Sequence, residues 1–196
     1  MCLGSFGSLI NELNQPRGLA LNPISNKLYI ADYNNHRVVG YLSGTPTLIA
    51  GGNGPGSLST QLYYPAGLAF DVSSNSLYIS SYYSHSIVRW ILGASAWTVV
   101  VGVPGSSGNT RLQLSYPMGF AFDYMGNLYV ADTSNHRIQL FVAGSLNGTT
   151  IAGVTSTAGN GAYLLNGPLS VALDSDLNLY VADYNNHRVQ KFLRYN

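Results

Sequence analysis

Four histidines offer the most conspicuous chemistry in this sequence. They stand at His36, His85, His136 and His187, and imidazole is a common zinc ligand. Their spacing points elsewhere. They recur at intervals of 49, 51 and 51 residues, one per period of an internal repeat. Zinc needs its nitrogens at ~2.0–2.1 Å from one ion, and equivalent positions of successive repeats do not converge on a point. Three of the histidines sit inside a longer constellation. Asp32, Asp132 and Asp183 stand four residues before a histidine, and Arg37, Arg137 and Arg188 directly follow one. If Asp ends one strand and Arg begins the next, the two charges face each other across a hairpin and attract. The second repeat is an internal control, because Ser81 and Ser86 replace both partners at once. Joint loss is what a direct pair predicts, since a lone partly buried charge is costly. His85 survives that change, so the histidine has a separate job, expected to be packing against the adjacent repeat.

Other reactive constellations are weak. No G-x-S-x-G nucleophile turn occurs. The loops AGGNGPG and AGVTSTAGNG are Gly-rich but precede strands, so the helix terminus of a phosphate cradle is missing. They read as linkers. Tyrosine is the richer resource, with 15 copies. Tyr33, Tyr82, Tyr83 and Tyr184 fall in the histidine-bearing turns, and Tyr63, Tyr64, Tyr116 and Tyr163 in the loops between repeats. Tyr with Ser, Gly and Asn is the composition of adaptable binding surfaces. These eight residues form the candidate ligand face, against the alternative that some rings only cover junctions.

The elements that must position these groups follow from the repeat. Pro16, Pro65, Pro117 and Pro168 each open a short apolar run (GLAL, GLAF, GFAF, SVAL). An Asx-bounded turn follows, at Asn22–Asn26, Asp71–Asn75, Asp123–Asn127 and Asp174–Asn178, where such side chains mimic backbone turns. Then come LYIAD, LYISS, LYVAD and LYVAD, a tight turn, a third strand, and a fourth such as TLIAG or TVVVG. Strands one and four are apolar at nearly every position, which predicts burial on both faces. A four-stranded antiparallel unit repeated at this length is the pattern of a β-propeller blade. The fold class is therefore all-β, with blades at about 14–51, 63–102, 115–153 and 166–196 in a single domain over 1–196. In a propeller, turns two–three and the inter-blade loops share one face.

The stretches NHRV at Asn35–Val38, NHRI at Asn135–Ile138 and NHRV at Asn186–Val189 resemble NHL repeats, and the resemblance extends over essentially the whole chain. It implies a ring of about six blades, of which four are visible. The peptidyl-amidating lyases are similar propellers that use zinc, channel histidines, a tyrosine and an arginine. Here all four histidines are spent on the repeat. Part of the NHL family binds RNA through a basic face or belongs to ubiquitin-ligase architectures. Here Lys27 and Lys191 are the lysines, the arginines outside the Asp pairs (Arg17, Arg89, Arg111, Arg194) do not cluster, and no RING residues occur.

Composition agrees with a binding module. Hydrophobic residues make up 46% and charged residues only 9%, against roughly 25% for an average protein. Net charge is +1, so no field advertises nucleic acid or membrane. Cys2 is the single cysteine, which precludes an internal disulfide. The most apolar stretch, Ile87–Val103, is broken by Arg89 and a Gly-Ala-Ser turn, so no membrane span is expected. Met1–Leu13 lacks the basic start and apolar run of a signal peptide. A sequon at Asn147-Gly148-Thr149 and the low charge lean extracellular, with a cytoplasmic site as the alternative. The last repeat lacks a fourth strand, so further blades or a second copy are expected to close the ring. The sequence thus favours a non-enzymatic platform for a protein or glycan partner, with no cofactor. The alternatives are a lyase-like propeller segment and an RNA- or substrate-binding NHL domain.

Overall fold

Alternating apolar residues and Asx turns fold into repeated antiparallel meanders. The computed structural model describes residues 6–194; Cys2 lies outside them. The first blade holds β1 (Pro16–Asn22), β2 (Lys27–Asp32), β3 (Arg37–Leu42) and β4 (Thr45–Gly51). The second holds β5 (Pro65–Asp71), β6 (Ser76–Ser81), β7 (Ser86–Ile91) and β8 (Thr98–Gly102). The third holds β9 (Pro117–Phe122), β10 (Leu128–Asp132), β11 (Arg137–Phe141) and β12 (Gly148–Gly153), and the fourth β13 (Pro168–Leu173), β14 (Leu179–Asp183) and β15 (Arg188–Phe192). Within each sheet the strands pair in chain order; the fourth sheet has three strands among the described residues. The fold is a β-propeller.

The strands that open the blades line the axis, where β1 packs beside β5, β5 beside β9, and β9 beside β13. That approach is close enough to demand glycine. A Cβ on Gly67 would lie 2.7 Å from the Met118 carbonyl oxygen, and one on Gly119 2.8 Å from that of Leu169. The core is divided among the blade junctions. Tyr29, Val38 and Ala50 of the first blade meet Leu77, Ile79, Val88 and Trp90 of the second. Ile87 and Val101 meet Leu128, Val130 and Phe141, and Tyr129, Ala131 and Ile138 meet Val171, Leu179 and Val181.

One expectation is corrected. Strands one and four are not buried on both faces: β4, β8 and β12 alternate or are mostly exposed, and β1 is exposed at Leu19 and Leu21. The best-covered strands are the middle pairs, such as β2 with β3 and β10 with β11. The fourth strand is the outer edge of its sheet, where the blades splay apart. Its apolar letters serve pleat and pairing rather than a two-sided core.

Candidate functional site

Between the second and third strands of every blade the chain makes one turn of 3-10 helix: Tyr33–Asn35, Tyr82–Ser84, Thr133–Asn135 and Tyr184–Asn186. The histidine ends that turn in the left-handed region, with φ of 54°, 57°, 55° and 53° at His36, His85, His136 and His187. Histidine tolerates this conformation better than most residues. The residues just before the prolines, Tyr64, Tyr116 and Gly167, are left-handed too. The two features meet across the blade junction. The Tyr64 N–H donates to His36 Nδ1 at 3.1 Å, Tyr116 N–H to His85 Nδ1 at 3.2 Å, and Gly167 N–H to His136 Nδ1 at 3.0 Å. Each of these three imidazoles is therefore a staple to the next blade. Its Nδ1 must be unprotonated to accept, and burial depresses the pKa of His36 and His85 below the ordinary histidine value.

The charged partners form a second, deeper layer. Arg37 Nε donates to Asp32 Oδ2 at 2.7 Å, and the Arg137–Asp132 and Arg188–Asp183 pairs are each 2.8 Å. The three carboxylates are fully buried. Each also accepts from a backbone N–H two residues before a proline: Asn14, Ser115 and Asn166. In the second blade Ser81 Oγ takes over that acceptor role toward Tyr63 N–H. Burial drives the Asp132 carboxyl above its ordinary pKa, opposed by Asn135, the Ser115 N–H and Arg137.

The pair was legible in sequence, but its extent was not. The arginine also donates to three carbonyls of the loop entering its own blade. Arg37 reaches Ser8, Leu9 and Glu12; Arg137 reaches Asn109, Thr110 and Gln113; Arg188 reaches Asn160, Gly161 and Leu164. Asn35, Asn135 and Asn186 clip the same loops, each bridging the Asp to a glycine carbonyl. The Asn that accompanies the Arg in all three N-H-R stretches, and is Ser84 where the Arg is missing, was the available clue. The second blade has no such arginine, and there Trp97 Nε1 donates to the Gln61 carbonyl at 2.6 Å. That substitution is invisible without coordinates.

Above this scaffold lies the tyrosine face. The 3-10 turn and the inter-blade loop meet by backbone hydrogen bonds, Tyr82 N–H to Tyr64 C=O and Tyr83 N–H to Tyr63 C=O. Six of the eight candidate tyrosines join one continuous set of ring contacts. Tyr33 meets Tyr64 at 4.8 Å and Tyr82 at 6.1 Å; Tyr63 meets Tyr83 at 5.2 Å; Tyr116 meets Tyr82 at 5.0 Å and Tyr83 at 5.1 Å. Centroid distances in this range are those of stabilising aromatic pairs. Tyr33 is 8% exposed and acts as the floor, whereas Tyr83 is 41% exposed at the surface. Burial raises the pKa of Tyr33 and Tyr82, so both keep their hydroxyl protons at neutral pH. Tyr163 and Tyr184 stand apart on the fourth blade, 77% and 62% exposed and outside the ring network.

Arg17 completes the face. Its guanidinium lies 4.0 Å from the Tyr33 ring centroid, a cation–π contact. It sits beside the groove at the axis, which the opening strands of all four blades line. Nothing in the repeat pattern singled Arg17 out, because Ala66, Met118 and Leu169 occupy the equivalent positions. Among the described residues, no cluster of three His, Cys, Asp or Glu is placed to hold a metal ion. No helix among them is long and apolar enough to cross a membrane.

Comparisons with known proteins agree with this architecture. The NHL repeat model matches residues 13–41, 114–141 and 165–192, which covers most of the first, third and fourth blades. Over 96 residues the chain is 36% identical to NHL repeat-containing protein 2 of Bos taurus, a stretch covering 45% of this chain and 13% of that protein. An auxiliary nutrient binding protein from Bacteroides ovatus superposes with a TM-score of 0.69 at 21% identity, covering 93% of this chain and 49% of that one. A gluconolactonase from Xanthomonas campestris gives 0.73 at 15% identity, covering 96% and 61%. At such identities the likeness to both structures is one of fold. The repeats, their inter-blade staples and the matched stretches together show that this β-propeller carries NHL repeats at three positions.

Proposed function

We propose that the chain is a non-enzymatic binding module that presents its tyrosine face to a protein partner. The observation that carries this reading is a comparison between its own blades. The loop and turn residues that face each other are Asn14 and Asn34 in the first blade, Ser115 and Ser134 in the third, and Asn166 and Asn185 in the fourth. In the first and fourth the two amides simply hydrogen-bond. In the second blade the same pair is Tyr63 and Tyr83, ring against ring. The fold is served by Asn or Ser, so two large aromatics here are surplus to folding. Tyrosine and arginine gathered in one place are what interface hot spots are made of.

The neighbours include a nutrient-binding protein and a lactonase, so the scaffold itself accommodates binding and catalysis. Two features favour binding. Three of the four histidines spend Nδ1 on the next blade's backbone, and the three arginines of the repeat are held by buried carboxylates.

The test uses the repeat's own solution. Tyr63→Asn with Tyr83→Asn rebuilds the pair of the first blade and removes the exposed Tyr83 ring together with the half-buried Tyr63 ring against it. An array of immobilised proteins and glycans is probed with the parent chain and this variant. Protein hits lost in the variant, with its melting temperature lowered by no more than ~4 °C, support the reading. Hits that survive the double change, or glycan hits alone, contradict it.

A further inference from the structure

Arg17 has features that neither the repeat nor the fold explains. It occupies a position that is Ala66, Met118 and Leu169 in the other blades. The three arginines of the repeat are each saturated by a carboxylate and loop carbonyls, as described above. Arg17 is exposed, and among the described residues no hydrogen bond or ion pair engages its guanidinium. Its described partners are the Tyr33 ring beneath it and, through the electrostatic field alone, the Tyr82 hydroxyl. The Tyr33 ring holds the guanidinium over its face at 4.0 Å while no described acceptor engages its N–H groups, an arrangement that suits a carboxylate. Surrounding it are hydroxyl-bearing rings that stay protonated at neutral pH, because burial raises Tyr33 and Tyr82.

Among the described residues no ion pair competes for this charge. The nearest carboxylate on the same turn, Asp32, is fully buried and already accepts from Asn14, Asn35 and Arg37. Among the described residues the face therefore offers one uncompensated positive charge, at the rim of the axial groove, beside a half-buried aromatic surface. A ligand that fits must supply one negative group and, a few ångströms from it, a flat or branched apolar group.

We propose that this face binds an extended peptide segment in which an Asp or Glu stands next to an aromatic or large aliphatic residue. The carboxylate pairs with Arg17, and the apolar side chain lies on Tyr64, Tyr82 and Tyr83. The proposal rests on the binding-module reading and adds the chemistry of the ligand to it. A peptide fits better than an acidic polysaccharide, because among the described residues a polyanion would meet a single free cation here and a row of neutral hydroxyls.

The experiment selects phage-displayed random dodecapeptides on the immobilised chain. The same selection is run on Arg17→Met, which copies the third blade, and on Tyr63→Asn/Tyr83→Asn. The expected result is enrichment of an acidic residue within two positions of an aromatic or large aliphatic one. Arg17→Met should bind a synthetic peptide from that pool about tenfold more weakly. Exchanging its Glu or Asp for the amide should cost the parent chain the same factor and Arg17→Met almost nothing. Enriched peptides without an acid, still dependent on Tyr63 and Tyr83, overturn the ligand assignment while sparing the binding-module reading. A pool that none of the variants affects, or no enrichment at all, overturns both. Arg17-dependent binding of a hyaluronan oligosaccharide with no peptide enriched transfers the site to a glycan and also overturns the proposal.

Discussion

At the scale of residues, the Asp–Arg pair is more a loop organiser than a source of net stability. Asp132 and Arg137 are buried, and desolvation works against the carboxylate. Removing either partner strands the other, so Asp132→Ala and Arg137→Ala should each cost about 3–5 kcal/mol. The double variant should cost clearly less than their sum in urea unfolding; additive losses would contradict direct coupling. The arginine variant should be the worse of the two, because Asn109, Thr110 and Gln113 also lose donors. Gln139 makes a contrasting case. It is 1% exposed, its amide nitrogen lacks a partner, and Val39 and Val88 hold the equivalent register positions. Gln139→Leu is expected to leave stability unchanged or raise it by about 1 kcal/mol, since a buried unpaired donor is removed. A loss above about 2 kcal/mol in the same assay would show that its bond with Thr150 is worth more than the orphaned donor costs.

At the scale of elements, blade joins blade through the axial strands and the histidine staples. His36 and His85 are depressed below 6.5 by burial. An unfolded chain takes up these protons near pH 6.5, whereas the folded one resists. Stability is therefore complete above that pH and falls as pH drops toward the folded values. Asp132, whose pKa is raised, has the opposite sign and does not cause this loss. The expected outcome is a lower urea midpoint at about pH 5.5 than at about pH 7.5, by about 1 kcal/mol per broken staple. His85→Asn, which tolerates the left-handed backbone, should flatten that dependence. A dependence unchanged in the His85→Asn and His36→Asn variants would place the titration elsewhere. Gly67→Ala tests the axial packing, because its Cβ would press on the Met118 carbonyl. A loss of about 1–3 kcal/mol is expected, the cost of overpacking, and an unchanged midpoint would show that the inner strands can separate.

At the scale of the whole molecule, the propeller was legible because periodicity survives without coordinates. Pro16, Pro65, Pro117 and Pro168 open strands in all four blades, and the turns bounded by Asp123 and Asp174 form through side-chain acceptors. What periodicity misled was burial: TLIAG reads as a core strand but lies at a blade edge. The candidate face was half legible. Period and strand alternation placed the tyrosines on one side. They could not say that Tyr33 would be the floor, or that Tyr163 and Tyr184 would stand outside the ring network. Arg17 was unreadable for a plain reason: it occurs once, and a repeat-based reading discards what does not repeat. The repeated residues hold this propeller together, and the proposed binding role rests on the non-repeated ones.

That division is most directly tested by comparing the two ends of the propeller in one measurement. A photocrosslinking benzoylphenylalanine replaces Tyr83 on the tyrosine face or Tyr124, which is exposed in the β9–β10 turn at the opposite end. Each protein is irradiated in extract of the source cells, and the adducts are identified by mass spectrometry. The account predicts a discrete protein adduct from position 83 that excess unlabelled chain competes away, with none of it from position 124. Competed adducts from position 124 alone, or equal adducts from both, would contradict the assignment of function to the tyrosine face.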